Sequence, residues 1–192
     1  MQWCDHCQKG PKMTNSLRTV YEQEIKPKLM EEFNIKNPFA VPYIQKIVVN
    51  VGASEAITSK DVIEKIMEQI IQITGQAPKV TQAKKSISTF KLKEGDKIGV
   101  MVTLRSKKAW DFLEKFAKIV APRIRDFRGL PTDNFDMAGN YSFGMTEQIL
   151  FPQIDYAKVD KVRGLVITFV IKNSNKEKSQ KLMELLELPF KK

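Results

Sequence analysis

The stretch KVTQAKKSISTFKLKEGDKIGVMVTLRSKK, Lys79–Lys108, holds two strand-like segments, KVTQAKKSIS and KIGVMVTLR, with no helical pattern between them. The second is the stronger, a run of apolar and β-branched residues. On the N-terminal side lies SKDVIEKIMEQIIQITG (59–75), the clearest helix in the chain. Val62, Ile63, Ile66, Met67, Ile70 and Ile71 line one face of it, Ser59 can cap its start and Gly75 can end it. On the C-terminal side SKKAWDFLEKFAKIVAPRI (106–124) reads as another amphipathic helix, with Ala109, Trp110, Leu113, Phe116, Ala117 and Val120 inward and Pro122 closing it.

Further out, YIQKIVVNVG (43–52) and VRGLVITFVIKN (162–173) read as buried strands. NKEKSQKLMELLELPF (175–190) reads as a last helix. TNSLRTVYEQEIKPKLMEEF (14–33) reads as a first helix, capped by Thr14 or Asn15 and kinked or split at Pro27. RDFRGLPTDNFDMAGNYSFG (125–144) is a Gly/Pro/Asn/Asp-rich loop. The order strand–helix–strand–strand–helix–strand, framed by helices and with room for an inserted hairpin, predicts an α+β fold: a mostly antiparallel sheet with helices packed on one face, a variant of the ferredoxin or RRM arrangement. Residues 1–12 differ in composition from the rest of the chain and read as a disordered leader, leaving 13–192 as one domain.

Lys and Arg number 32 against 22 Asp and Glu, for a net charge of +10 and a pI near 9.5. Lys79–Lys108 alone carries nine bases and two acids, Glu94 and Asp96. So one-signed a surface points to an acidic partner, nucleic acid before an anionic membrane. No run approaches the length of a membrane span, and the N-terminus lacks a signal-peptide core. Two cysteines make no disulfide framework, which implies a reducing, cytosolic-type compartment.

Lys79, Lys84, Lys85, Lys91, Lys93, Lys97 and Arg105 are interleaved with hydroxyls at Thr81, Ser86, Ser88 and Thr89 and with Phe90. Those are the groups that engage phosphate, ribose and bases. Phe90 and Phe127, each taken alone, read as core. A second cluster, Arg123, Arg125 and Arg128, supplies planar forked donors that match phosphate.

Enzyme signatures are missing. The one histidine, His6, lies in the leader, which argues against a His-based triad or general base. Cys4, His6 and Cys7 have metal-ligand chemistry but fall short of the four ligands of structural zinc, so no metal or other cofactor is expected. NVGASEA (50–56) is a glycine turn that reads as a connection rather than a phosphate cradle.

The segments ITGQAPKVTQAKKSISTFKLKEGDKIGVMVTLR, APRIRDFRGL, GNYSFGMTEQILFPQIDYAKVDKVRGL and LPFKK closely resemble the bacterial-type L-five family of ribosomal proteins, in order and across 13–192. The resemblance implies a cytoplasmic, non-enzymatic ribosomal protein that attaches 5S rRNA in the central protuberance. It implies as further partners 23S-type rRNA, other central-protuberance proteins, the P-site tRNA and the small-subunit protein S-thirteen. Family positions that contact 5S rRNA match Asn50, Gln76 and Thr103. Lys79, Lys84, Lys85, Ser86, Arg105, Arg123, Arg125 and Arg128 are expected to help hold rRNA. The tRNA-facing loop matches the Ser86–Gly99 connector, with Ser88, Thr89, Phe90, Lys91, Lys93 and Lys97, and the bridge surface matches Arg128–Tyr141. Two departures stand out: Ala138 and Thr146 occupy positions where the family carries arginine. An extra-ribosomal RNA-binding module or chaperone is the alternative, and an RNA-processing enzyme with an unrecognised site is a more distant one.

Overall fold

Ile44, Ile47, Val49 and Val51 alternate with more exposed neighbours along β1 (Tyr43–Gly52), so one face of this strand is driven into a core and the other is left free. β1 is the centre of a five-stranded antiparallel sheet of order β2-β3-β1-β5-β4, with β2 at Lys79–Gln82, β3 at Lys97–Arg105, β4 at Tyr141–Met145 and β5 at Leu165–Lys172. The computed structural model describes residues 16–57, 61–125, 127–156 and 159–190. The leader, with Cys4, His6 and Cys7, and the proposed caps Thr14, Asn15 and Ser59 lie outside the described residues.

Leaving β4 aside, the strands run β2-β3-β1-β5 with α3 (Asp61–Thr74) between β1 and β2 and α4 (Ser106–Lys115) after β3. That is the βαββαβ arrangement expected from the sequence. β4 is the inserted strand for which that order leaves room, but the sequence does not place it. It falls inside the segment read as a loop, and its pairing with β5 from Tyr141↔Phe169 to Met145↔Leu165 extends the sheet at one edge. Tyr141, Phe143 and Met145 alternate with Ser142 and Gly144, a short strand pattern weakened by Gly144, and β5 supplies the edge on which it pairs.

Both long helices bury the predicted side against the sheet, with local corrections. In α3, Ile63, Ile66, Ile70 and Ile73 are buried, whereas Ile71, expected inward, is 41% exposed. Residues 63, 66, 70 and 73 follow the three-and-four spacing of one stripe, and Ile71 lies a step off it. Gly75, at φ +65°, ends the helix, its N–H donating to the Ile71 carbonyl. In α4, Phe112 joins the core and Trp110 is only half buried.

Pro122 does close this helix, through a π turn at Phe116–Val120 and a 3-10 turn at Ala121–Arg123. Pro27 distorts its helix without ending it. The first helix is continuous from α1 (Leu17–Val20) through a π turn at Tyr21–Ile25 into α2 (Lys26–Glu32), so the distortion expected at Pro27 is taken up one turn earlier. α5 (Lys176–Leu185) packs Leu182 and Met183 into the same core, which centres on Ile47, Leu104, Leu113, Phe116, Tyr141 and Phe169.

The strands read as buried prove to be buried on one face only. Val166 is well exposed, and Val48 and Val170 are half exposed. The helices cover one side of the sheet and leave the other open.

Candidate nucleic-acid interface

Antiparallel pairing places directly opposed residues on the same face, so the register defines what the open side presents. One row reads Lys79, Met101, Asn50, Val166, Gly144; the next reads Thr103, Val48, Thr168, Ser142; a third reads Arg105, Lys46, Val170. Lys97 and Lys172 follow the same alternation at the ends of β3 and β5. The open-face strand positions therefore carry five cations and no carboxylate.

Asn50 and Thr103, 53 positions apart in sequence numbering, come within two residues of one another across the β1–β3 ladder, since Val48 pairs with Thr103 and Asn50 with Met101. Gln76 joins them from the α3–β2 connection. Its Nε2 donates to the Thr103 carbonyl at 3.1 Å, which fixes the amide and leaves its Oε1 and second N–H for a ligand. Lys108 steadies the same corner by donating to the Gly75 carbonyl at 3.1 Å. Among the described residues the Asn50 side chain has no hydrogen-bond partner, and it is exposed between the apolar flanks of Met101 and Val166. This arrangement offers fixed amide and hydroxyl groups inside a positive field. The one aromatic among the open-face strand positions, Tyr43, lies at the far end of β1 from Asn50, so the cluster itself lacks the strand aromatics on which an RRM stacks bases.

The β2–β3 connector is a folded hairpin rather than a loose loop. Ile87 and Leu92 form an antiparallel bridge with reciprocal N–H to carbonyl bonds at 2.9 and 3.1 Å. Ser88–Phe90 makes a 3-10 turn, Lys91 takes φ +52° and Gly95 φ +88°. Ser86 Oγ donates to the Leu92 carbonyl at 3.0 Å, and Asp96 accepts the Lys93 N–H at 2.8 Å. Ser88, Thr89, Phe90, Lys91 and Lys93 all stand exposed at or beside the tip. Phe90, which alone reads as core, is 69% exposed; Phe127 is half buried against the core. Lys84 and Lys85 are exposed at the hairpin's base.

Arg123, Arg125 and Arg128 are exposed beyond α4, and among the described residues nothing ties them to the open face. The segment after them is well structured. Asp136 accepts the Asn140 N–H at 2.7 Å and its side-chain amide at 2.8 Å. The Asn140 side chain, together with further backbone bonds, holds the Asp136 carboxyl below the usual carboxylate range. This turn carries Met137 fully into solvent, with Ala138 exposed beside it; Thr146 is also exposed. The NVGASEA turn continues into a 3-10 turn at Ser54–Ile57, and the Ala53 N–H is taken by the Ile98 carbonyl at 2.9 Å, as a connection requires.

The sequence reading missed Lys46, Thr168, Ser142 and Lys172 on the open face. Strand alternation held the signal for Lys46, which lies four residues from Asn50 on the same strand. Ser142 and Thr168, whose hydroxyls lie 3.1 Å apart, needed the β4–β5 pairing. Among the described residues no group of acids, histidines and cysteines could hold a metal, and no helix is long and apolar enough to cross a membrane.

Two family models match. Ribosomal protein L5 covers residues 37–93, and the C-terminal model of the same ribosomal family covers 97–190. They meet in the β2–β3 hairpin, yet β1 pairs with β3 and β5 across that junction, so both halves build one sheet. Among similar curated proteins, large ribosomal subunit protein uL5 of Chloroflexus aggregans is 49% identical over 179 residues, 93% of this chain and 99% of that one. The protein of that name from Carboxydothermus hydrogenoformans is 44% identical over 174 residues, 91% and 97% of the two chains. That from Campylobacter jejuni subsp. doylei is 46% identical over 176 residues, 92% and 97%. Identity of this level over more than nine-tenths of the chain, with two models of one family matched on the two halves of a single sheet, means that the chain belongs to the ribosomal protein L5 family.

Proposed function

We propose that this chain holds 5S rRNA on the open face of its sheet and attaches it to the large ribosomal subunit. The family's role is structural and non-enzymatic, as a constituent of the large subunit in the cytoplasmic ribosome. The observation that carries the finer reading is the convergence of Asn50, Thr103 and Gln76 on an acid-free face bearing Lys46, Lys79 and Arg105. Amides and hydroxyls on rigid strands suit specific contacts to nucleotides, while the lysines neutralise phosphate. Lys84, Lys85, Ser86 and the Arg123–Arg125–Arg128 cluster extend the rRNA contact, the latter toward 23S-type rRNA.

The Ser88–Lys93 tip, with Thr89, Phe90 and Lys91 and with Lys97 at its base, meets the P-site tRNA. An exposed aromatic between cations on a braced hairpin fits a ligand that docks and leaves. The segment 128–141, with Met137 outermost, meets S-thirteen and other proteins of the central protuberance. Residues 13–192 work as one RNA-binding unit to which residues 1–12 add nothing.

Filter binding of the purified chain to 5S rRNA, with co-sedimentation on large subunits, tests the reading. Saturable 5S rRNA binding that tightens as salt falls, together with stoichiometric co-sedimentation, is expected, and deletion of 1–12 leaves both unchanged. RNA binding without co-sedimentation would instead favour an extra-ribosomal module or chaperone.

A further inference from the structure

Where the first helix meets the end of the sheet, a groove of about 840 Å³ is lined by Phe39, Tyr43 and Trp110 together with Arg18, Lys26 and Lys172. Its volume is in the range of pockets that enclose small organic ligands. Three features make it more than a gap between elements.

First, Phe39 is 84% exposed, yet its backbone is held firmly: its N–H donates to Asn37 Oδ1 at 2.9 Å and its carbonyl accepts from Asn173 Nδ2 at 2.8 Å. A large apolar ring fixed in solvent loses nothing further in backbone order when a flat partner stacks on it. Trp110, also in the lining, is braced by Tyr21 at a ring separation of 5.3 Å, and Tyr21 is anchored in turn by its hydroxyl on the Pro42 carbonyl. Second, the charge is asymmetric. Glu22, the acid in the lining, is paired with Arg18 at 3.0 Å, whereas among the described residues Lys26 and Lys172 have no acidic partner. Third, Tyr43 and Lys172 are cross-strand partners, so the groove opens from the end of the same sheet face that carries Lys46 and Arg105.

We propose that this groove is a second RNA site, distinct from the Asn50–Thr103–Gln76 cluster, that receives an unpaired nucleotide with its base against Phe39 and its phosphate on Lys26 and Lys172. Base–aromatic stacking beside a cationic track is the general solution for single-stranded nucleic acid. The inference rests on reading the chain as an RNA-binding ribosomal protein, and it adds a site and a ligand class, a flipped-out or single-stranded nucleotide, to that reading.

The chain has two tryptophans, so Trp3→Phe leaves Trp110 as sole reporter in the full-length protein. Titration with a short oligouridylate should quench Trp110 saturably and less strongly as salt rises. Phe39→Ala, at an exposed position, and Lys26→Glu, at a half-exposed one, should each weaken the quench at least about fivefold, the low end of losing one stacked base or its phosphate partner. Neither should alter 5S rRNA affinity, and Asn50→Ala should leave the quench intact. A Trp110 signal that ignores oligouridylate, or a quench that both variants leave unchanged, overturns the proposal, as does quenching by an apolar peptide in preference to RNA. If the unaltered chain fails to bind 5S rRNA while the quench and its dependence on Phe39 persist, the sheet-face reading falls and the groove stands.

Discussion

Asn50→Ala separates recognition from folding more cleanly than other changes on the open face. Asn50 is exposed, makes no side-chain hydrogen bond among the described residues, and sits at mid-sheet between Met101 and Val166. Truncating it removes no hydrogen bond of the free protein and opens no cavity, so stability should stay within about 0.5 kcal/mol of the unaltered chain. In the complex, the amide's nucleotide partners would be left buried without a mate, a loss of about 1–3 kcal/mol. That is roughly 5- to 150-fold in Kd.

The amide is neutral, so the slope of log affinity against log salt should not move. Lys79→Ala, on the same row, gives the opposite signature. Affinity falls modestly, and the slope drops by about 0.7–0.9 for the one phosphate that is no longer neutralised. Filter binding to 5S rRNA across a salt series, with a thermal melt of each free protein, reads both quantities. Specific recognition by the Asn50 amide fails if Asn50→Ala binds 5S rRNA as well as the unaltered chain, or if its weaker binding tracks a lowered melting temperature. It fails equally if Asn50→Ala changes the salt slope as much as Lys79→Ala does.

Replacing Ile87–Leu92 by a tight glycine turn should keep 5S rRNA affinity while speeding dissociation of P-site tRNA from reconstituted ribosomes; loss of 5S rRNA binding would mean the hairpin belongs to the rRNA site. Gly139 holds φ +79°, and a Cβ there would meet Ser179 Oγ at 2.6 Å and the Asn175 backbone at 3.1 Å. A left-handed non-glycine residue alone costs about 1–2 kcal/mol. Gly139→Ala adds the clash to that cost, so it should lower the melting midpoint by at least about 2–4 °C. Asp136 should titrate in NMR below the usual aspartate value, because the Asn140 side chain favours the carboxylate. A depressed folded-state value means the stabilising contribution of the Asp136–Asn140 turn is present at neutral pH and is lost as pH falls through that lowered value. Asp136→Asn should remove this acid-side dependence, and an unshifted midpoint would contradict the bonding described.

Much of the fold was legible along the chain because its strong elements are locally consistent. The bounds of β1 coincide with the stretch YIQKIVVNVG, and β3 with KIGVMVTLR, since β-branched residues and flanking Gly or Lys agree on where each strand begins and ends. α3 ends at Gly75 for a reason visible in one residue. The charge of Lys79–Lys108 and the resemblance carried by its motifs pointed to RNA without any coordinates.

Other features were beyond local reading. β4 pairs because β5 offers an unpaired edge: the alternation in Tyr141–Met145 runs over only five residues, with Gly144 among them, too short to set it apart from the surrounding loop residues. The openness of one sheet face depends on where the helices pack, so the half-exposed state of β5 could not be read from its apolar residues. Asn50, Gln76 and Thr103 were matched by resemblance, but their meeting is a matter of register: a one-residue slip of β3 would turn Thr103 and Arg105 into the core. The outward Phe90 and the groove beside Phe39 come from turn geometry and from elements far apart in sequence. Composition and periodicity determined the kinds of element and the kind of partner. Pairing and packing, which act between residues that the chain keeps distant, decided which side chains face that partner together.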